Sequence, residues 1–162
     1  MYGLAACADA ERLYISDWDN DVLHALPLYP DEDDEDEDED DDEDEDDSAS
    51  WAVANQPAGL SLTLAGAGRP PSVLVACHGA GLIQEWSPDG ILMRQIQLAD
   101  EARLVWHAVP LSRDELAVSH EGSTHCLAVI STDDGQPLHT CRQARILASR
   151  ILRGILVLYL VI

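Results

Sequence analysis

Apolar residues in this chain fall in short runs, each closed by turn-forming residues. Between positions 58 and 98 four such runs follow one another: Leu60–Leu64, Val73–Cys77, Leu82–Trp86 and Ile91–Leu98. Pro70-Pro71, Gly79, Gly81 and Pro88-Asp89-Gly90 separate them. These residues break any helical reading, because proline lacks a backbone donor and glycine and aspartate favour turns. Four short β-type runs joined by tight turns predict one four-stranded antiparallel unit.

The same pattern flanks that unit on both sides. Upstream lie Tyr2–Ala8, Arg12–Ser16, Asp21–Leu28 and Trp51–Ala54, with Asp17-Trp18-Asp19-Asn20 as a polar turn. Downstream lie Leu104–Leu111, Glu115–Ser119, Cys126–Ser131 and Gln136–Cys141. The segments LVACH, ending at His78, and LAVSH, ending at His120, match at an offset of 42, and Gly90 and Gly135 close similar turns at an offset of 45. Leu13 and Leu74 are 44 apart once a seventeen-residue insertion is set aside. A repeat of this length is that of a β-propeller blade. The expected fold class is therefore all-β: a partial β-propeller of about three four-stranded antiparallel blades over residues 2–141. Their expected bounds are about 2–55, 58–98 and 104–141.

The insertion is Asp31–Asp47, seventeen acidic residues without interruption, and it changes the meaning of the net charge of −22. Outside it, 14 acids face 9 bases, an ordinary balance for a folded domain. A run without apolar residues buries nothing, so it is expected to be a disordered loop within the first blade. Such an insertion is tolerated because closure entropy grows only logarithmically with loop length. Segment 142–162 leaves the repeat, with four arginines and then an apolar stretch from Gly154 to Ile162 that is too short to cross a bilayer as a helix.

Arg12–Asn20 (RLYISDWDN), Pro57–Thr63 (PAGLSLT) and Leu82–Ile96 (LIQEWSPDGILMRQI) resemble repeats of the NHL-type propellers. They are similar in particular to the propeller part of tripartite-motif (RING/B-box) family proteins. The resemblance implies a protein-binding propeller of about six blades, and in some members RNA recognition. This chain has no RING or B-box cysteine/histidine pattern, so ligase activity does not carry over. Its acidic run repels phosphates and argues against nucleic-acid binding.

Enzyme signatures are missing. There is no G-x-S-x-G elbow, no phosphate-cradling G-x-x-x-x-G-K-S/T and no G-x-G-x-x-G. The segment from His120 to His125 spaces its histidines five apart around a glycine, whereas a zinc-protease helix needs four. The repeat alignment sets Asp17, His78 and His120 just after the second strand of successive blades. They are the metal candidates, and with Trp18 they are the candidate binding residues of the blade-top turns. Asp and His also serve there as ordinary turn residues. Trp86 and Trp106 are expected to pack between sheets, His107 to be packed rather than reactive, and Cys7 and Cys77 to be buried free thiols.

These readings define a non-enzymatic protein-interaction module without cofactors, built on NHL-like blades as a fragment of, or accessory to, a larger propeller protein. The expected partner is a protein, with basic surfaces favoured by the acidic run. Open blade edges imply self-association. The alternatives are a metal-dependent lyase or lactonase-like propeller enzyme, and a degenerate part of a ubiquitin-ligase system. No transmembrane segment is expected, and the default location is cytoplasmic or nuclear.

Overall fold

A computed structural model describes residues 3–28, 48–64, 70–99, 104–121 and 126–141. The acidic run and segment 142–162, with the expectations placed on their structure, lie outside the described residues. Among the described residues twelve strands form three four-stranded antiparallel sheets, each a simple meander. Blade 1 comprises β1 (Leu4–Cys7), β2 (Arg12–Asp17), β3 (Val22–Pro27) and β4 (Ala49–Ala52). Blade 2 comprises β5 (Pro57–Leu62), β6 (Val73–Cys77), β7 (Leu82–Trp86) and β8 (Leu92–Gln97). Blade 3 comprises β9 (Leu104–Pro110), β10 (Glu115–Glu121), β11 (Cys126–Ser131) and β12 (Pro137–Cys141). The protein is all-β, with its three blades arranged as in part of a propeller. A 3-10 turn at Ala8–Ala10 links β1 to β2.

The blades stack face to face through their first strands, β5 meeting β1 and β2 on one side and β9 on the other. Blade 2 is covered on both faces, and all five residues of its strand β6 (VLVAC) are buried. Strands β2 and β10 belong to blades covered on one face, and there burial alternates along the strand. One core joins Tyr14 and Leu23 of blade 1 to Val73 and Val75 of blade 2. A second joins Leu74 and Ile83 of blade 2 to Val105, Val118 and Ile130 of blade 3. Burial of each such side chain contributes about 1.5–3 kcal/mol. Cys7 and Cys77 lie in the first core as free thiols.

Polar ties cross both junctions. The Ser16 hydroxyl accepts from the Gly3 amide at 2.7 Å and donates to the Ala58 carbonyl at 2.9 Å, joining blades 1 and 2. Ser61 donates to the Ala108 carbonyl at 2.6 Å across the second junction. Further out, Arg94 pairs with Glu85 in blade 2 and reaches the Thr132 carbonyl of blade 3. Gly59 lets β5 approach β9: a Cβ there would lie 2.5 Å from the Trp106 carbonyl oxygen and would overlap the His107 ring.

The strand pairing corrects the repeat alignment by one residue in blade 2. The last pairs of the β2–β3, β6–β7 and β10–β11 hairpins are Asp17–Val22, Cys77–Leu82 and His120–Cys126. Faces agree with this registry. Val75 faces blade 1 and Val118 faces blade 2, each packing on the preceding blade, whereas an offset of 42 would pair Val75 with Ala117, which belongs to neither core. A slip of one residue reverses a strand's faces, so the correct offset there is 43. Asp17 and His120 are thus equivalent, their counterpart in blade 2 is Cys77, and His78 is the counterpart of Trp18.

Candidate binding site at the blade ends

Three rings from three blades meet where the β2–β3 and β6–β7 turns come together. Trp18 opens the first turn, His78 opens the second, and Trp106 lies near the start of β9. The ring centroids of His78 and Trp106 are 4.2 Å apart, those of Trp18 and His78 5.1 Å. Trp18 and Trp106 stack at 5.7 Å with 15° between their planes. Trp18 and Trp106 are half-buried, and His78 is 9% exposed.

Local chemistry explains each position. The Asp17 carboxylate accepts from the amides of Asp19 at 3.1 Å and Asn20 at 3.2 Å, and from the Asn20 side chain at 2.7 Å. This Asx-type turn projects Trp18 from the end of β2. Asp21 closes the turn at φ 56, and Gly81 occupies the same place in blade 2 at φ 64. Aspartate tolerates this left-handed region better than most residues. The Asp21 carboxylate accepts from the Gln56 amide at 2.6 Å, and the Gln56 carbonyl accepts from the His78 amide at 2.9 Å. The connection between blades 1 and 2 therefore holds both turns in one frame.

His78 Nδ1 lies 3.2 Å from the Val105 carbonyl oxygen. A carbonyl only accepts, so Nδ1 carries the proton, and in the neutral ring Nε2 presents its lone pair. Trp106 occupies a β-bulge: Val105 pairs with His120 and His107 with Ser119, leaving Trp106 without an opposite residue. Bulges re-aim side chains, and this one turns the indole onto His78 and Trp18.

Electrostatically the site is acidic on its blade 1 side. The hydrogen bond from the Asn20 side chain, reinforced by backbone amides, holds the Asp17 carboxyl below its ordinary value. His24 Nε2 stands 3.9 Å from that carboxylate. Asp19 is exposed beside it. Burial lowers the pKa of His107, next to Gly59 on the inner strand of blade 3.

Of the residues singled out by the sequence, Trp18 and His78 are brought together. Asp17 supports the turn beneath Trp18. His120 is buried within β10, paired with Val105 and Cys126. Among the described residues no group of three or more His, Cys, Asp or Glu side chains is placed to hold a metal ion, so Asp17, His78 and His120 do not form a ligand set. Trp106, read from the sequence as packing between sheets, packs against rings of blades 1 and 2 and is thereby the third member of the site. Trp86 does pack between sheets, stacked on Trp51 at 6.1 Å across the first junction. Strand β3 ends away from Trp18, where the Leu28 amide donates to the Glu11 carbonyl at 2.8 Å.

No protein-family model matches this chain, and no curated protein does. Solved structures match at the level of fold. Hydrazine synthase from Kuenenia stuttgartiensis is similar over 85% of this chain and 36% of its own, at a TM-score of 0.60 and 14% identity. Glutaminyl cyclase from Myxococcus xanthus is similar over 86% of this chain and 51% of its own, at a TM-score of 0.53 and 16% identity. Both likenesses are to propeller-like folds, of which this chain spans about half or less. They define a propeller-type protein and carry nothing about activity. Among the described residues no helix is long and apolar enough to cross a membrane.

Proposed function

We propose that this chain is a non-enzymatic protein-interaction module whose contact centre is the Trp18–His78–Trp106 cluster and whose partner presents a basic segment. The observation that carries the reading is the convergence of three rings from three blades, two of them half-buried indoles, beside the acidic turn Asp17–Asp21. An arginine guanidinium stacks on an indole face and pairs with carboxylates at its edge, a combination worth about 0.5–2 kcal/mol per cation–π contact. Tryptophan is also the residue most often found at the energetic centre of protein interfaces. The segments that resemble NHL-type blades support a binding role of the kind that family's propellers have.

Isothermal titration with a synthetic peptide of arginines spaced by glycines tests the reading. Binding is expected for the wild type, with affinity at least about fivefold lower for Trp18→Ala, as the loss of roughly 1 kcal/mol requires. A second variant replaces residues 31–47 with a Gly/Ser linker and is expected to keep the Trp18-dependent binding. If Trp18→Ala binds unchanged and the linker variant does not bind, the acidic run is the site and the proposal fails.

A further inference from the structure

We propose that Ser50 is a covalent acyl acceptor, its hydroxyl activated by His24 and Asp17 towards activated acyl esters (thioesters and aryl esters). The three residues come from neighbouring strands, β2, β3 and β4. Tyr14, Leu23 and Ala25 point into the first core and Trp51 packs against it, so Asp17, His24 and Ser50 share the other face of blade 1. His24 is opposite Ser50. The Val53 amide donates to the Asp21 carbonyl at 3.0 Å, which makes that pair and, two places on, Trp51–Leu23 the hydrogen-bonded ones. His24–Ser50 falls next to them as a non-hydrogen-bonded pair, the kind whose facing side chains stand closest. Ser50 Oγ is 2.8 Å from His24 Nδ1, and on the other side of the ring Nε2 lies 3.9 Å from Asp17 Oδ2.

Charge sets the place of the imidazole proton. The Asp17 carboxylate, fixed by the Asn20 side chain and by the amides of Asp19 and Asn20, favours the tautomer protonated on Nε2. Nδ1 then holds a lone pair and accepts the Ser50 proton. A carboxylate that orients a base within reach of a hydroxyl is the arrangement that activates a serine. Ser50 is exposed, so an electrophile reaches its oxygen. In the step with a thioester, Ser50 Oγ attacks the acyl carbon as its proton passes to His24 Nδ1. The carbon–sulfur bond breaks, and His24 returns the proton to the departing thiolate. The products are a Ser50 acyl ester and a free thiol. Thiols leave readily because their pKa is only about 8.5. Val22 and Ala52, opposite each other beside the His24–Ser50 pair and on the same face, offer a short acyl chain an apolar seat. The product is a modified chain, and the inference does not rest on the peptide contact proposed for the aromatic cluster.

Incubation of the full chain with p-nitrophenyl acetate, an acid quench and peptide mapping by mass spectrometry test it. The chain contains no lysine, so lysine acetylation does not compete. Ser50 of the wild type is expected to be acetylated at least about tenfold faster than Ser50 of His24→Gln, because a positioned general base contributes about 10²–10⁴-fold. Circular dichroism checks that the variant folds. Long-range proton–nitrogen NMR of the imidazole rings reads the tautomer without any variant. Neutral His24 of the wild type is expected to carry its proton on Nε2, and Asp17→Asn to lose that preference. Equal acetylation rates at Ser50 in the wild type and His24→Gln, acetylation of other residues but not of Ser50, or a proton on Nδ1 of neutral wild-type His24 would each overturn the proposal.

Discussion

The indole rings of Trp18 in blade 1 and Trp106 in blade 3 stack almost parallel, 5.7 Å apart, across the end of the blade that lies between them. Blade 2 contributes His78 to the same cluster, so three blades are coupled through one contact. A double-mutant cycle with Trp18→Ala and Trp106→Ala, read by urea unfolding, is expected to give a coupling of about 0.5–1.5 kcal/mol. Additive losses would mean that the rings do not stack in solution.

At Gly59 the backbone of blade 2 closely approaches that of blade 3. A methyl group there meets the Trp106 carbonyl and the His107 ring, and the carbonyl belongs to main chain that cannot swing aside. Gly59→Ala is expected to destabilise the fold by about 1–3 kcal/mol, the usual cost of overpacking. It should also displace the Trp106 indole, which near-ultraviolet circular dichroism reports. An unchanged spectrum at unchanged stability would contradict the close approach.

Tyr14 is fully buried in the first core, and its hydroxyl has no hydrogen-bond partner among the described residues. Removing an unsatisfied buried hydroxyl relieves a desolvation cost of about 1–3 kcal/mol. Tyr14→Phe is therefore expected to leave stability unchanged or raise it, as measured by its urea midpoint.

The same burial sets the response to alkali. It pushes Tyr14 from 10.0 up to about 12, and the Cys77 thiol from 9.0 up to about 12. Groups whose pKa is raised on folding stabilise the fold fully below their unfolded values and lose that contribution as pH rises towards the folded ones. Thermal stability should thus decline from about pH 9, first through Cys77 and then through Tyr14. Cys77→Ala combined with Tyr14→Phe should flatten the decline between pH 9 and 12.

On the acid side, burial holds His107 below its ordinary 6.5. The folded state then binds fewer protons than the unfolded state, so stability is lost as pH falls through 6.5. His107→Leu should reduce the drop in melting temperature between pH 7.5 and pH 5. Equal drops in the variant and the wild type would assign the loss to other groups.

The blades were legible because their signal is local. Runs such as Val73–Cys77 and turns such as Pro88-Asp89-Gly90 each carry their own cause, and three sets of them state the repeat. The site was only half legible, because it depends on registry. Matching LVACH with LAVSH follows composition, but Val75 and Val118 share a face only at an offset of 43, and no pattern of residue types fixes a single-residue slip. Trp106 was out of reach for a related reason. Its direction is set by a bulge defined by the pairing of Val105 with His120 and of His107 with Ser119, a relation between strands that no strand encodes alone.

The most direct test of the account is a two-dimensional NMR titration of the four indole N–H signals with the arginine–glycine peptide. Trp18 and Trp106 lie at the proposed contact centre, whereas Trp51 and Trp86 stack on each other at the first junction. The Trp18 and Trp106 signals are expected to shift together along one binding curve while those of Trp51 and Trp86 stay in place. Shifts confined to Trp51 and Trp86, or no shift in any indole while the peptide binds, would contradict it.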